Sequence, residues 1–266
     1  MPEFMKLAFA AGLVVGVVAP AVGFFLVERR MSLIGDGIGH TAFAGVALAQ
    51  LLGLDPVLTA LVVSVAGALV MELLHSRGGA VGDQALAFLL YTSMAAAVVL
   101  ASAARAVNAG LFAYLFGSIL TVEPGTVLKM SAAGALVLAV IAALYRRLLA
   151  VALDEEAARA CGLPVLGLNL LVAVLAALTV ALSMRTVGLL LVAALMVLPV
   201  LAAGRLARSV RSTLLIAMAL GALSAVGGLS LSWVSDLAPG GTIVLVAAGL
   251  YLLSLGAGLV RRRVTV

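Results

Sequence analysis

Two residues of this chain are the types that hold or move charge, and they stand four apart in an otherwise apolar stretch. They are Asp36 and His40, in SLIGDGIGHTAFAGVALAQLLG, residues 32–53. At a spacing of i, i+4 they share one face of a helix. Ten residues separate His40 from Arg30, about 15 Å of helical rise, which predicts His40 near the middle of a bilayer and Asp36 one turn nearer its edge. An ionised group at that depth costs about 2.5–3.5 kcal/mol, so a chain retains it to line a polar path, bind a cation or satisfy a neighbour. A carboxylate oxygen beside an imidazole nitrogen suits Mn²⁺, Fe²⁺ or Zn²⁺ and is poor for Cu(I). One Asp and one His cannot cage a metal alone. Two copies across a two-fold axis would bring four ligands, which requires a dimer. The competing reading is a mutually hydrogen-bonded pair that serves packing.

The helices that would carry this pair are set by composition. The chain has 266 residues, 65% hydrophobic and 10% charged, with mean hydropathy +1.32. That is too few charges to cover a water-facing surface, so the expected fold class is an all-α polytopic membrane protein, a single transmembrane domain over residues 1–266. The net charge of +5 reports orientation, not nucleic-acid binding. Cys161, the one cysteine, excludes an internal disulfide.

Nine apolar stretches have spanning length, near residues 5–27, 32–53, 56–75, 82–104, 126–145, 165–184, 187–206, 212–234 and 241–260. The first is longer than a signal-peptide core and is followed by Arg29 and Arg30, so it is expected to be a span. If it lay at the interface instead, eight spans would remain. With the N-terminus outside and the C-terminus cytoplasmic, twelve arginines fall inside (residues 29, 30, 77, 146, 147, 159, 205, 208, 211, 261, 262 and 263). Only Lys6, Arg105, Lys129 and Arg185 fall outside, and this bias chooses the orientation. Residues 108–122 hold Asn108, Gly110, Gly117 and Ser118 and predict a short re-entrant or mouth helix. The Gly12/Gly16 and Gly35/Gly39 pairs predict close helix packing.

The longest polar piece is YRRLLAVALDEEAARACGLP, residues 145–164. Asp154 is a good N-cap, Glu155 and Glu156 suit a first turn, and Gly162 with Pro164 suit an end, so a short cytoplasmic helix is expected over 154–162. Other polar candidates are weaker. Glu72 and His75 stand at i, i+3 near a span end, and one such pair falls short of a di-iron site. Met184 and Met196 are soft ligands by type but ordinary packing residues in an apolar helix. Asp83 and Asp236 sit at span ends. No GxxxxGK[ST] or HExxH occurs, so the chain carries neither an ATPase site nor a zinc-protease motif.

These segments together resemble the permease subunits of bacterial zinc, manganese and iron ABC importers. ERRMSLIGDGIGHTAFAGVALAQLLG is similar to that family's second-span motif, with Asp36 and His40 matching. LFGSIL with TVEP resembles its outer mouth, LDEEAARACGLP its ATPase-docking loop, and MRTVGLLLVAALMVLPVLAAGRLARS with PGGTIVLVAAGLYLLS its late spans. Gly37, Gly39 and Ala44 depart from the family pattern around the pair. The resemblance implies a non-enzymatic transport subunit in the bacterial cytoplasmic membrane, with no permanently bound cofactor, passing a divalent zinc, manganese or iron ion at Asp36 and His40. It implies two cytoplasmic ATPases, an extracytoplasmic metal-binding protein and a second permease copy, with no nucleic acid. It makes 154–162 a coupling helix, in which Asp154, Glu155, Glu156, Ala158, Arg159 and Gly162 would serve docking. Two other functions remain beside it: a proton-coupled carrier using Asp36 and His40 as a relay, and an ABC permease for a metal chelate.

Overall fold

A computed structural model describes residues 3–76, 82–104, 114–115, 117 and 123–264. Ten helices occur among them. They are α1 (Glu3–Glu28), α2 (Ile34–Leu52), α3 (Pro56–Ser76), α4 (Gly82–Ala103), α5 (Pro124–Leu153), α6 (Glu155–Ala160), α7 (Val165–Val187), α8 (Leu189–Leu206), α9 (Val210–Ser235) and α10 (Pro239–Val264). The described residues contain no strand. All nine apolar stretches are helical. Seven helices are long and apolar enough to cross a membrane, and α8 contains a shorter apolar run. Asp36, His40 and Gln50 dilute the apolar character of α2, the remaining one.

The outward faces are what a membrane requires. Leu58, Val62, Val99, Leu136, Leu223 and Leu245 are exposed large side chains spread over α3, α4, α5, α9 and α10. Such a surface is stable against lipid and not against water. α1 lies at the centre, packed on α5, α7, α8 and α9, with Phe24 and Phe25 fully buried. A central, buried α1 suits a spanning helix, as the sequence predicted for the first apolar stretch.

Small residues set the closest approaches, as lipid-embedded helices need. Gly16 of α1 faces the backbone of Gly221 on α9, and a Cβ on either residue would strike the other's carbonyl. Gly12 packs beneath Leu229 of the same helix. Gly39 lies under Leu189, and Gly35 under Met196 Sδ, so the second small pair docks α2 on α8.

The largest difference from the expected helix boundaries is at the end of α5. α5 continues through Arg146 and Arg147 to Leu153. Nothing between residues 145 and 153 breaks a helix, and Leu, Ala and Arg are strong helix formers. Its 30 residues make about 45 Å, well beyond a bilayer core. The predicted mouth helix at 108–122 lies largely outside the described residues. Of it, Tyr114 and Leu115 are helical, and Gly117 abuts Val187 at the α7–α8 junction.

The bundle has two distinguishable ends. Arg29, Glu72 and Glu155 meet at one of them, which joins the C-terminal ends of α1 and α3 to α6. Arg146 and Arg211 line one cleft, so α9 starts at the end where α5 finishes. α7 also starts there, because Asn169 bonds Glu155. α8 must therefore return, and the break at Gly188, φ 94°, lies at the opposite end.

Candidate metal pathway and coupling elements

The Asp36/His40 segment begins with the way α1 ends. The Arg30 N–H donates to Val27 O at 2.9 Å and the Met31 N–H to Leu26 O at 2.9 Å. This is the paired-bond closure of a helix, with Arg30 in the left-handed position at φ 59°. Met31 and Leu26 are both buried and complete it. The chain thus turns sharply and α2 starts only at Ile34. The sequence distance of ten residues from Arg30 is therefore not all helix. His40 stands about 9 Å along α2 from its first residue and Asp36 about 3 Å. Asp36 lies in the first turn of α2, whose N-cap, Leu33, supplies no side-chain hydrogen bond. The helix dipole favours a carboxylate there.

Three sides of α2 are closed by neighbours. Gly37 lies against Leu89 of α4, Gly45 against Ala60 of α3, and Gly35 and Gly39 against α8. Asp36 and His40 project between the α4 side and the α8 side, and both are half-buried where nearly all surrounding α2 residues are buried. Phe43 and Ala47 close the same face one turn further on. Each of the pair feels the other's charge, but among the described residues no hydrogen bond holds either side chain. The expectation of a mutually hydrogen-bonded packing pair is not met. Thr41, by contrast, is committed: its hydroxyl donates to Gly37 O at 2.7 Å. Among the described residues no three His, Cys, Asp or Glu side chains cluster as a metal site.

Met184 and Met196 are buried to 0% and 1% exposure. Glu72 belongs to a different structure from the one its spacing with His75 suggested. Arg29 Nη2 donates to Glu72 Oε1 at 2.9 Å and Oε2 at 3.2 Å, with the two side chains 3% and 0% exposed. The same Nη2 lies 3.3 Å from Glu155 Oε1, which also accepts from Asn169 Nδ2 at 2.9 Å. Sequence reasoning missed this network. The available signal was an acid in α3 and a base ending α1, both at span ends expected on one side.

α6 forms as expected. Asp154 Oδ1 accepts from the Ala157 N–H at 2.9 Å. Gly162, at φ 79°, closes the helix, with its N–H donating to Arg159 O at 3.0 Å and the Leu163 N–H to Ala158 O at 3.1 Å. Asp154, Glu156, Arg159 and Gly162 are exposed. Two residues depart from the expected docking face. Ala158 is 4% exposed and packs inward, because the closing turn folds Leu163 back over it. Glu155 is turned toward Arg29 and Asn169.

Residues 1–257 match the ABC 3 transport family. The chain belongs to that family. It is 32% identical to the manganese import system permease protein ScaB of Streptococcus gordonii, over 95% of this chain and 90% of that one. It is 31% identical to the high-affinity zinc uptake system membrane protein ZnuB of Haemophilus influenzae, over 96% and 98%. Among solved structures, PsaBC from Streptococcus pneumoniae in complex with Fab matches with a TM-score of 0.85 and 33% identity, covering 96% of this chain and 91% of that one. An inward-facing putative metal-chelate type ABC transporter matches at TM-score 0.70 and 18% identity, over 95% and 85%, a likeness of fold alone. This ABC 3 chain is thus a multi-pass transport component whose relatives import manganese or zinc.

Proposed function

We propose that this chain is the permease of an ATP-driven importer of a first-row divalent metal ion, manganese, zinc or iron, in the bacterial cytoplasmic membrane. The observation that carries the reading is the Asp36/His40 pair: one helical turn apart, half-buried and, among the described residues, without a hydrogen bond, on the side of α2 between its α4 and α8 contacts. Relatives above 30% identity named for manganese and zinc favour a bare ion over a chelate.

The chemistry follows from solvation. A dication entering a low-dielectric passage loses water and needs replacement donors. Asp36 supplies a negative oxygen and His40 a nitrogen, a pair that suits these metals. The half-buried carboxylate is itself relieved of an uncompensated charge when the cation arrives. Two donors per chain are enough to admit the ion and few enough to release it. A second copy of the permease would complete the passage. An extracytoplasmic binding protein would deliver the ion, and two cytoplasmic ATPases would dock on the exposed Asp154, Glu156 and Arg159 of α6. Closure of the ATPases would move α6, and through Glu155 and Arg29 it would reach the turn from which α2 starts.

The test is uptake of radioactive manganese or zinc by liposomes holding the permease with its ATPase, supplied with the binding protein. Asp36→Ala and His40→Ala should each lower uptake by on the order of tenfold or more, as loss of one of few ligands does, with unchanged melting and ATPase co-purification. Uptake at the wild-type rate in both variants overturns the assignment. Uptake driven by a pH gradient without the ATPase would instead establish the proton-coupled carrier.

A further inference from the structure

α5 and α9 both pack on α1, and above α1 they leave a cleft of about 460 Å³ floored by Ala21. This is within the roughly 300–1,000 Å³ of small-ligand sites. Its two ends differ. At one end Leu138 and Ala142 of α5 face Leu215 and Met218 of α9. At the other stand Arg146 of α5 and Arg211 of α9, beside Tyr145. The helices run in opposite senses, so both walls change from apolar to basic in the same direction, over about 10–12 Å.

The two arginines are exposed, and among the described residues neither has a hydrogen bond or an ion pair. The cleft lining contains no acidic side chain. Two unopposed guanidiniums at the head of an apolar slot match one kind of molecule: an amphiphile with an anionic phosphate and hydrocarbon chains. Guanidinium groups bind phosphate oxygens through paired N–H bonds, and basic pockets between membrane helices take anionic headgroups. The apolar arm faces hydrocarbon, where an acyl chain is the solvent at hand.

We propose that this cleft binds an anionic phospholipid of the cytoplasmic leaflet, its phosphate on Arg146 and Arg211 and one acyl chain along α1. The site lies on the arm that carries α6, since α5 runs from Arg146 to Leu153 and then directly into the Asp154 cap. A bound lipid therefore braces that arm against α9.

The experiment is native mass spectrometry of the purified permease–ATPase complex, with phosphatidylglycerol or phosphatidylcholine of identical acyl chains added. The wild type should retain phosphatidylglycerol on the order of tenfold better, the scale expected of two arginines at an anionic surface. Arg146→Gln/Arg211→Gln should abolish the preference. Arg147→Gln, an exposed neighbour outside the cleft, should keep it. Ala142→Trp, which fills the apolar arm and leaves both arginines, should also lose the lipid. Retention in that variant, displacement by inorganic phosphate, or an unchanged preference in the double variant overturns the proposal. A photo-crosslinking residue at Leu215 in native membranes should capture lipid; capture of a second polypeptide would show that protein covers the cleft.

Discussion

Arg29 carries more of the architecture than its place in the sequence suggested. It ends α1, pairs with Glu72 of α3 and reaches Glu155 of α6. Both members of the Arg29–Glu72 pair are out of solvent, so removing one strands a charge, which costs about 3–5 kcal/mol. Arg29→Ala should therefore lower the thermal stability of the purified protein steeply. The paired replacement Arg29→Met/Glu72→Leu should recover most of that loss, because replacing both charges with apolar groups is often neutral. Transport by the paired variant should stay low if Arg29 links α6 to the α2 turn; wild-type transport would show that the network only holds the fold. A wild-type melt for Arg29→Ala would remove the pair from both roles. The difference between what was legible and what was not is physical. Asp36 and His40 stand out in any apolar stretch by type alone. Arg29 and Glu72 are 43 residues apart, and their types at span ends suit topology and solvent equally well, so only tertiary packing reveals the pair.

Among the helices, α6 is where the expected element forms but two residues of the expected face, Glu155 and Ala158, turn toward the bundle. The cap at Asp154 and the closure at Gly162 were legible because both are local chemistry, a side-chain acceptor for a first-turn N–H and a residue tolerant of positive φ. Which side of two helical turns faces outward depends on the neighbours, and here Leu163, α5 and α7 claim Ala158. A bulky group at position 158 would strike the permease itself and would report on folding, not docking. The informative substitutions are on the exposed side. Ala157→Trp or Ala160→Trp should leave the protein inserted and its melt unchanged while abolishing co-purification of the ATPase and transport. Ala158→Trp should lower the melt, as overpacking by about 1–3 kcal/mol does. ATPase retention and coupled hydrolysis in both exposed variants would make α6 a linker. α5 teaches the same lesson on a larger scale: Arg146 and Arg147 read as the end of a span, yet a helix passes beyond its membrane segment wherever nothing breaks it.

For the whole molecule, the positive-charge count and the bundle agree on which ends belong together. Arg29 with Glu155, and Arg146 with Arg211, bring residues expected on the cytoplasmic side into contact or into one cleft. The sensitive step is α7 to α8, joined through Gly188 alone. If this junction is a true reversal, three crossings separate Cys161 from Leu237 and they lie on opposite sides of the membrane. If α7 and α8 together crossed once, the two residues would share a side. Both are exposed, and Cys161 is the sole native cysteine, so the chain carries half of its own assay. In cells expressing the permease without its ATPase, a membrane-impermeant maleimide should leave Cys161 unlabelled until the membrane is permeabilised. Cys161→Ser/Leu237→Cys should label in intact cells. Labelling of both from outside would refute the reversal at Gly188, and the mirror pattern would invert the orientation set by the arginines. Because the exposed face of α6 surrounds Cys161, adding the ATPase should then slow labelling of the permeabilised protein, tying topology and docking to one thiol.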